Sequence, residues 1–287
     1  MNTAPNNAST TVNADGAATS ASVRTNAEAS AKSAAKFPPG TFTPAPRRAS
    51  AGRMIASQGR IEAILLLRHG EQILLNLLIP AAILIGATVV PVLGAQTSLD
   101  QIVTMVFSIA AASAGFTGQA ISLAFDRRYG ALKRTGASGV PAWTIIAGKV
   151  LGVLATVLVQ IVVLGGIALA LGWRISAGGA ALGFLTLLAG VTAFTALGLL
   201  LGGTQSSEIV LAGANFIWLV MLAVLGWVVY SGNLGTAGLW DLVPSVALAD
   251  AMDGALSATV HPWAWLALIG WAVFAVLGTI RWFRFDG

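Results

Sequence analysis

The chain has 287 residues, of which 56% are hydrophobic and 9% charged, and its mean hydropathy is +0.81. Soluble domains carry about 25% charged residues, so this composition excludes a water-soluble globular enzyme and points to a polytopic membrane protein. The lack of cysteine excludes disulfides, thiolate chemistry and cysteine-ligated metals; the isoelectric point near 10.2 reflects bases kept in loops, not a nucleic-acid surface.

Residues 1–50 are mostly Ala, Ser, Thr, Asn and Pro with scattered charge. Such a segment cannot bury enough apolar surface to offset its ordering entropy, and the expectation is a disordered cytoplasmic tail. The remainder, 51–287, reads as one membrane domain. Its first part, "RMIASQGRIEAILLLRHGEQ" (53–72), mixes charge with Leu and Ile. It suits an amphipathic helix lying on the inner leaflet, with Arg near anionic headgroups; the other reading is a cytoplasmic extension of the first span.

Six apolar runs follow, at 73–94, 101–124, 150–172, 179–201, 209–230 and 263–280. A run of about 20 apolar residues crosses a bilayer core, and backbone groups in lipid need partners within their own segment, so each run is expected to be helical. None contains Asp, Glu, Lys, Arg or His. Pro80 is expected to kink the first span. Six spans put both termini on one side. With that side cytoplasmic, every Lys and Arg except Arg174 lies inside, while Asp100, Asp241, Asp250 and Asp253 lie outside; the positive-inside rule disfavours the reverse.

Along the second span, Thr104, Ser108, Ala111, Gly115, Gly118 and Ser122 fall within about 80° of one another at 100° per residue. The third span places Gly148, Gly152, Thr156 and Gln160 at four-residue steps. Small residues at this spacing let helices approach closely, and packing is the plainer reading of both stripes; a substrate-lining face is the other. Asn76, Gln160 and Asn215 are the deepest amides and read as interhelical hydrogen-bonding groups. Trp143, Trp173, Trp240, Trp263 and Trp282 lie near span ends, as interfacial anchors do. Outside the membrane, "DLVPSVALADAMDGALSATVHPW" (241–263) puts Asp250, Asp253 and Ser257 on one helix face and Leu248, Met252 and Ala255 on another. It is too short and polar to span, and a re-entrant or surface helix is expected.

Charge at membrane depth is costly and is placed there for function. Its absence from these runs argues against a proton-coupled carrier, an intramembrane protease and a lipid-modifying metalloenzyme. His69 and His261 fall on opposite sides and cannot share a metal. No G-x-x-x-x-G-K-[ST] occurs, so the chain is not itself a P-loop ATPase.

The charge is concentrated elsewhere. "FDRRYGALKRTGASGVPAWTIIAGK" (125–149) follows the second span on the cytoplasmic side and holds five of the sixteen Lys and Arg residues. From charge alone a topogenic loop touching only headgroups is the favoured reading. Its pattern, however, resembles the membrane subunit of an ATP-binding-cassette exporter, in the permease family of the type-two class. Asp126, Arg127 and Arg128 form the acidic-basic cluster, and Gly130, Leu132, Lys133 and Arg134 the Gly-x-Leu-basic-basic element. Pro141 lies in the small/Pro segment, and Gly148 and Lys149 open the third span. "LVPSVALADAMDGAL" resembles that family's Pro-containing outer segment before the last span. The similarity covers roughly 53–287.

The resemblance implies that Asp126–Arg134, with Tyr129 and Leu132 as anchors, is a coupling loop. It would insert into a separate P-loop ATPase, present in two copies, which holds ATP and magnesium; this chain binds no cofactor. It further implies a second permease chain, identical or homologous, in the cell (cytoplasmic) membrane. The pathway would run between protomers along the second and fifth spans, with Thr104, Ser108, Ser122, Asn215 and Trp218 as candidates. The expected activity is efflux of a hydrophobic or amphipathic compound, such as a drug or antibiotic. Export of a cell-envelope lipid or glycan is the alternative, ahead of an ion-coupled secondary carrier or a non-transporting scaffold.

Overall fold

The computed structural model describes residues 49–68, 70–90, 93–94, 97–137, 139–236 and 238–282. All but positions 49 and 50 of the tail read from composition lie outside the described residues, as does His69. Among the described residues every regular element is helical.

The amphipathic segment forms α1 (Ala51–Arg68), followed by α2 (Gly70–Val89). α2 passes through Pro80. Proline has no N–H, so the Asn76 carbonyl four residues earlier loses its helical partner. Gln160 Nε2, from a later helix, donates to that carbonyl at 3.1 Å. α2 ends at Val89, earlier than the expected 94; Pro91 follows closely and cannot extend the ladder.

The second span is α3 (Leu99–Ala112), a π-helical turn (Ser113–Thr117) and α4 (Gly118–Arg128), one rod of 30 residues. It begins with a capping box: Ser98 Oγ accepts from Gln101 N at 3.3 Å, and Gln101 Oε1 accepts from Ser98 N at 3.1 Å. Ser113, where the π turn starts, donates to Asn76 Oδ1 at 3.2 Å, so the same asparagine ties α2 to both the central rod and the third span.

A short helix α5 (Ala131–Ala137) fills the loop, and α6 (Ala142–Ala170) follows. α6 starts well before the expected position 150, which turns Trp143–Lys149 from loop into helix. Then come α7 (Ala177–Thr204), α8 (Ser207–Tyr230), a 3-10 turn (Leu239–Leu242), α9 (Pro244–Leu256) and α10 (Pro262–Trp282). Ser176 caps α7 by accepting from Gly179 N at 3.0 Å, and prolines open α9 and α10 at the first helical position, where no N–H partner is needed. Five stretches are long and apolar enough to cross a membrane: Leu99–Arg128, Trp143–Ala170, Ala177–Thr204, Ser207–Tyr230 and Pro262–Trp282. They correspond to the second to sixth expected spans. The apolar part of α2, Asn76–Val89, is shorter.

The α3–α4 rod is the centre of the bundle, and its side chains are nearly all buried. α7 lies against it so closely that a Cβ at Gly202 would stand 2.3 Å from the Ala120 carbonyl oxygen. α9 is also interior: Ser245–Met252 are buried among α3, α7, α8 and α10. The surface alternative for this segment is therefore replaced by a core helix. Its Leu248 side chain fills the space that a Cβ at Gly190 would need, at 2.3 Å. α8 and α10 are peripheral and present apolar side chains outward, among them Phe216, Leu219, Trp227, Ile269 and Leu277.

Candidate functional site

The basic segment is built by the ends of three helices. α4 finishes with Arg127 and Arg128 in its last turn, where cations complement the negative end of the helix dipole. Gly130 then takes φ +68°, a left-handed conformation that glycine adopts without strain and that turns the chain sharply into α5. Arg134 Nη1 donates to the Tyr129 carbonyl at 2.9 Å and closes this turn. Gly139, at φ +78°, turns the chain back towards α6.

The charged side chains divide into an inward and an outward set. Arg127 is buried, and its Nη1 donates to the carbonyls of Gly202 (2.8 Å) and Gln205 (2.9 Å). Those carbonyls sit at the C-terminal end of α7, where helical partners run out. Arg128 Nη1 bonds Ser207 Oγ at 3.0 Å and pairs with Glu208, in the first turn of α8. The end of α4 is thus clamped to the α7–α8 turn. Leu132 is also buried, packed with Leu123, Ile145 and Leu199 from three long helices.

Lys149 completes the frame. Its ammonium is 2% exposed and lies 2.8 Å from Asp126 Oδ2 and 3.1 Å from Glu62 Oε1. Gln58 Nε2 donates to the same Glu62 oxygen at 3.2 Å. A single buried cation therefore joins α1, the end of α4 and the start of α6. Around it α1 runs along α6 with almost no gap: a Cβ at Gly148 would meet Gln58 Cγ at 2.3 Å, and one at Gly152 would meet Glu62 Cβ at 2.7 Å. The small stripe on α6 is the seat of α1.

What the segment presents outward is Tyr129, Lys133 and Arg134, together with the exposed Arg128–Glu208 pair and with Trp143 on α6. Tyr129 stacks on Phe125, with ring centroids 6.0 Å apart and planes within 20°. The corner thus exposes an aromatic pair flanked by cations on a rigid base. Among the described residues, no group of three or more His, Asp or Glu is placed to hold a metal.

The profile of the ABC-2 family transporter protein matches residues 3–281. The chain belongs to the ABC-2 transporter family. Comparisons with curated proteins and with solved structures returned no match. The protein is thus a multi-pass membrane permease, and the match begins within the segment that composition assigns to the tail.

The structure distributes the remaining site candidates of this permease widely. Thr104 and Ser108 are wholly buried, and Ser108 Oγ donates to the Thr104 carbonyl at 2.8 Å. Their stripe is covered within the chain: at Gly115 a Cβ would touch Phe194 Cβ of α7 at 2.9 Å. Ser122 is half-buried, and Asn215 is exposed with its amide turned back to the Leu211 carbonyl at 2.7 Å. Trp218 bridges from α8 to the Ile109 carbonyl at 3.4 Å. The five candidates do not converge on one surface of the single chain.

Sequence reasoning missed two links in the permease. One is Lys149–Glu62; the only hint is a carboxylate among the Ile and Leu residues of an amphipathic helix. The other is at the opposite end, where His261 Nδ1 lies 2.8 Å from Asp250 Oδ1 and Asp250 is buried. The helical spacing put Asp250 and Asp253 on one face, but nothing in it connected them to a histidine beyond the helix end.

Proposed function

We propose that this permease is the transmembrane subunit of an ATP-driven exporter and that Tyr129, Lys133 and Arg134 on the α4–α5 corner dock a separate P-loop ATPase. α2 is the first of six spans, with both termini and the basic corner cytoplasmic. α1 lies on the inner leaflet through exposed Ile61, Ile64 and Leu65. The observation that carries the reading is the construction of the corner. Its inward residues lock α4, α6, α7 and α1 together, so a push on the outward residues moves helices and not merely a loop.

Two ATPase copies supply ATP and magnesium, and a second permease chain, identical or homologous, completes the pathway. The exposed face of α8 suits a seam or pathway wall: it is apolar, with Asn215 as its amide. A hydrophobic or amphipathic compound fits such a wall better than an ion, which favours drug or antibiotic efflux over gradient-driven exchange. ATP binding on the partner biases two arrangements of the seam.

The test is purification from the native membrane in mild detergent. A P-loop ATPase is expected to co-purify, and to be lost from a Tyr129→Ala/Lys133→Glu/Arg134→Glu variant whose melting temperature is unchanged. A folded permease with no ATPase would remove the reading.

A further inference from the structure

The last helix, α10, and the 3-10 turn that precedes α9 enclose a groove of about 680 Å³, within the range of roughly 300–1,000 Å³ typical of ligand pockets. One wall is α10 from Trp263 to Phe274, and the other is the turn, with Gly238, Asp241 and Leu242. The walls are tied where the indole N–H of Trp271 donates to the Leu242 carbonyl at 2.9 Å. Trp271 also meets Phe274 edge to face, with ring centroids 5.7 Å apart. From Trp263 to Phe274 the helical wall runs about 16 Å at 1.5 Å per residue. It starts at the tryptophan-marked end of the span, the depth of the headgroups, and continues into the apolar part of the helix.

The one charged side chain that lines the groove is Asp241. It is 5% exposed. Its Oδ2 accepts from the Gly238 N–H at 3.3 Å. Among the described residues no Lys, Arg or His pairs with it; His261 is engaged by Asp250 instead. A buried carboxylate without a countercharge is costly, so a cation that enters the groove relieves that cost. The aromatic lining adds to the attraction, because ring faces attract cations and those of Trp do so most strongly. Between the rings, Leu266, Ala267 and Gly270 leave the wall apolar, with no donor or acceptor side chain.

We infer that this groove binds an amphipathic organic cation of the quaternary ammonium class, with the ammonium at Asp241 and the alkyl part along α10. A quaternary nitrogen has no N–H to satisfy, which suits a site that offers one carboxylate and aromatic rings in place of a set of acceptors. A zwitterionic lipid does not fit, because its phosphate would stand near Asp241 in a groove lined by no basic side chain. None of the lining residues belongs to the basic corner, and binding requires neither the ATPase nor a second permease chain.

The test uses the purified full chain in a non-ionic detergent, dodecyltrimethylammonium bearing a diazirine on its alkyl chain, and mass-spectrometric mapping of the crosslinks. A neutral probe of the same shape, with carbon in place of the ammonium nitrogen, is the control. The cation is expected to label Leu242, Trp263, Leu266 and Phe274 about tenfold more than the neutral probe does, the scale of one ion contact near a protein surface. Asp241→Asn keeps an acceptor for Gly238 and should remove that preference while leaving the neutral labels unchanged. Trp263→Leu, at an exposed position, should weaken cation labelling several-fold and serves if the first variant does not fold. Gly270→Phe should abolish groove labels from both probes; a Cβ there meets nothing within 4 Å, so the ring enters open space. Equal labelling by the two probes, cation labels indifferent to these substitutions, or a groove closed to both probes because a second copy of the chain covers it would overturn the site.

Discussion

At the scale of single residues, Lys149 is the most consequential side chain described. Replacing a buried cation while its carboxylates remain strands their charge, and breaking such a pair typically costs about 3–5 kcal/mol. Lys149→Met should fall near the lower end, because Asp126 is 35% exposed and partly solvated. Adding Glu62→Leu to Lys149→Met should recover part of the loss, since an apolar replacement of a whole pair is often nearly neutral. Reversible unfolding in detergent measures both, and a double variant no better than the single one would refute the pairing. Gln160→Leu should cost about 1–2 kcal/mol in the same assay by leaving the Asn76 carbonyl without a partner.

The Asp250–Asp253–His261 end gives a pH signature. Burial pushes the Asp250 carboxyl above its ordinary range, opposed by His261 and assisted by Asp241. Burial raises Asp253 likewise, with His261 opposing and Asp100 adding. A raised value means that the folded state binds the proton more tightly than the unfolded one. These carboxyls therefore contribute stability as pH falls through the raised value towards the ordinary one, and that contribution is lost as pH rises again. Asp253→Asn should melt higher than wild type at pH 7, and the difference should vanish near pH 4, close to the ordinary carboxylate value of about 3.9. Melting curves that run parallel across the range would contradict this.

At the scale of elements, close helix approach is the main device. Gly202→Ala drives a Cβ into the Ala120 backbone, which cannot swing aside, and should cost about 1–3 kcal/mol, the usual range for overpacking. Gly166→Ala on α6 meets nothing within 4 Å and should be neutral or stabilising by up to about 1 kcal/mol from helix propensity. Equal effects of the two substitutions on the melting temperature would break the packing account.

The same scale shows what the sequence discloses. Five spans were legible because lipid forces uninterrupted apolar helices. The start of α6 was not, because Lys149 ends the apolar run, and the carboxylates that make it tolerable lie in segments no periodicity connects. Arg127 reads as a surface cation for a similar reason: its acceptors are carbonyls at the end of α7, and carbonyls leave no mark in a sequence. α9 reads as peripheral because two aspartates interrupt it, although Ala, Leu and Met fit the rest into the core. The π turn at Ser113–Thr117 sits inside an unbroken apolar pattern that an ordinary helix would share. In the candidate site, the residue types of the corner were legible, but not which of them face outward.

At the scale of the whole molecule, the two ends differ in kind. One end is a locked basic corner, and the other holds the buried acid–histidine pair. The central rod touches α7, α8 and α9 along its length and so joins the two ends. The account stands or falls on whether an ATPase covers that corner. The chain has no native cysteine, so Lys133→Cys gives one reactive site, and its labelling by a membrane-impermeant maleimide is the most direct measurement. In inside-out vesicles the thiol should be shielded while the co-purifying ATPase is bound and should label fully once it is stripped. Labelling that is the same with and without the ATPase, or that occurs only from the opposite face of the membrane, would contradict the account.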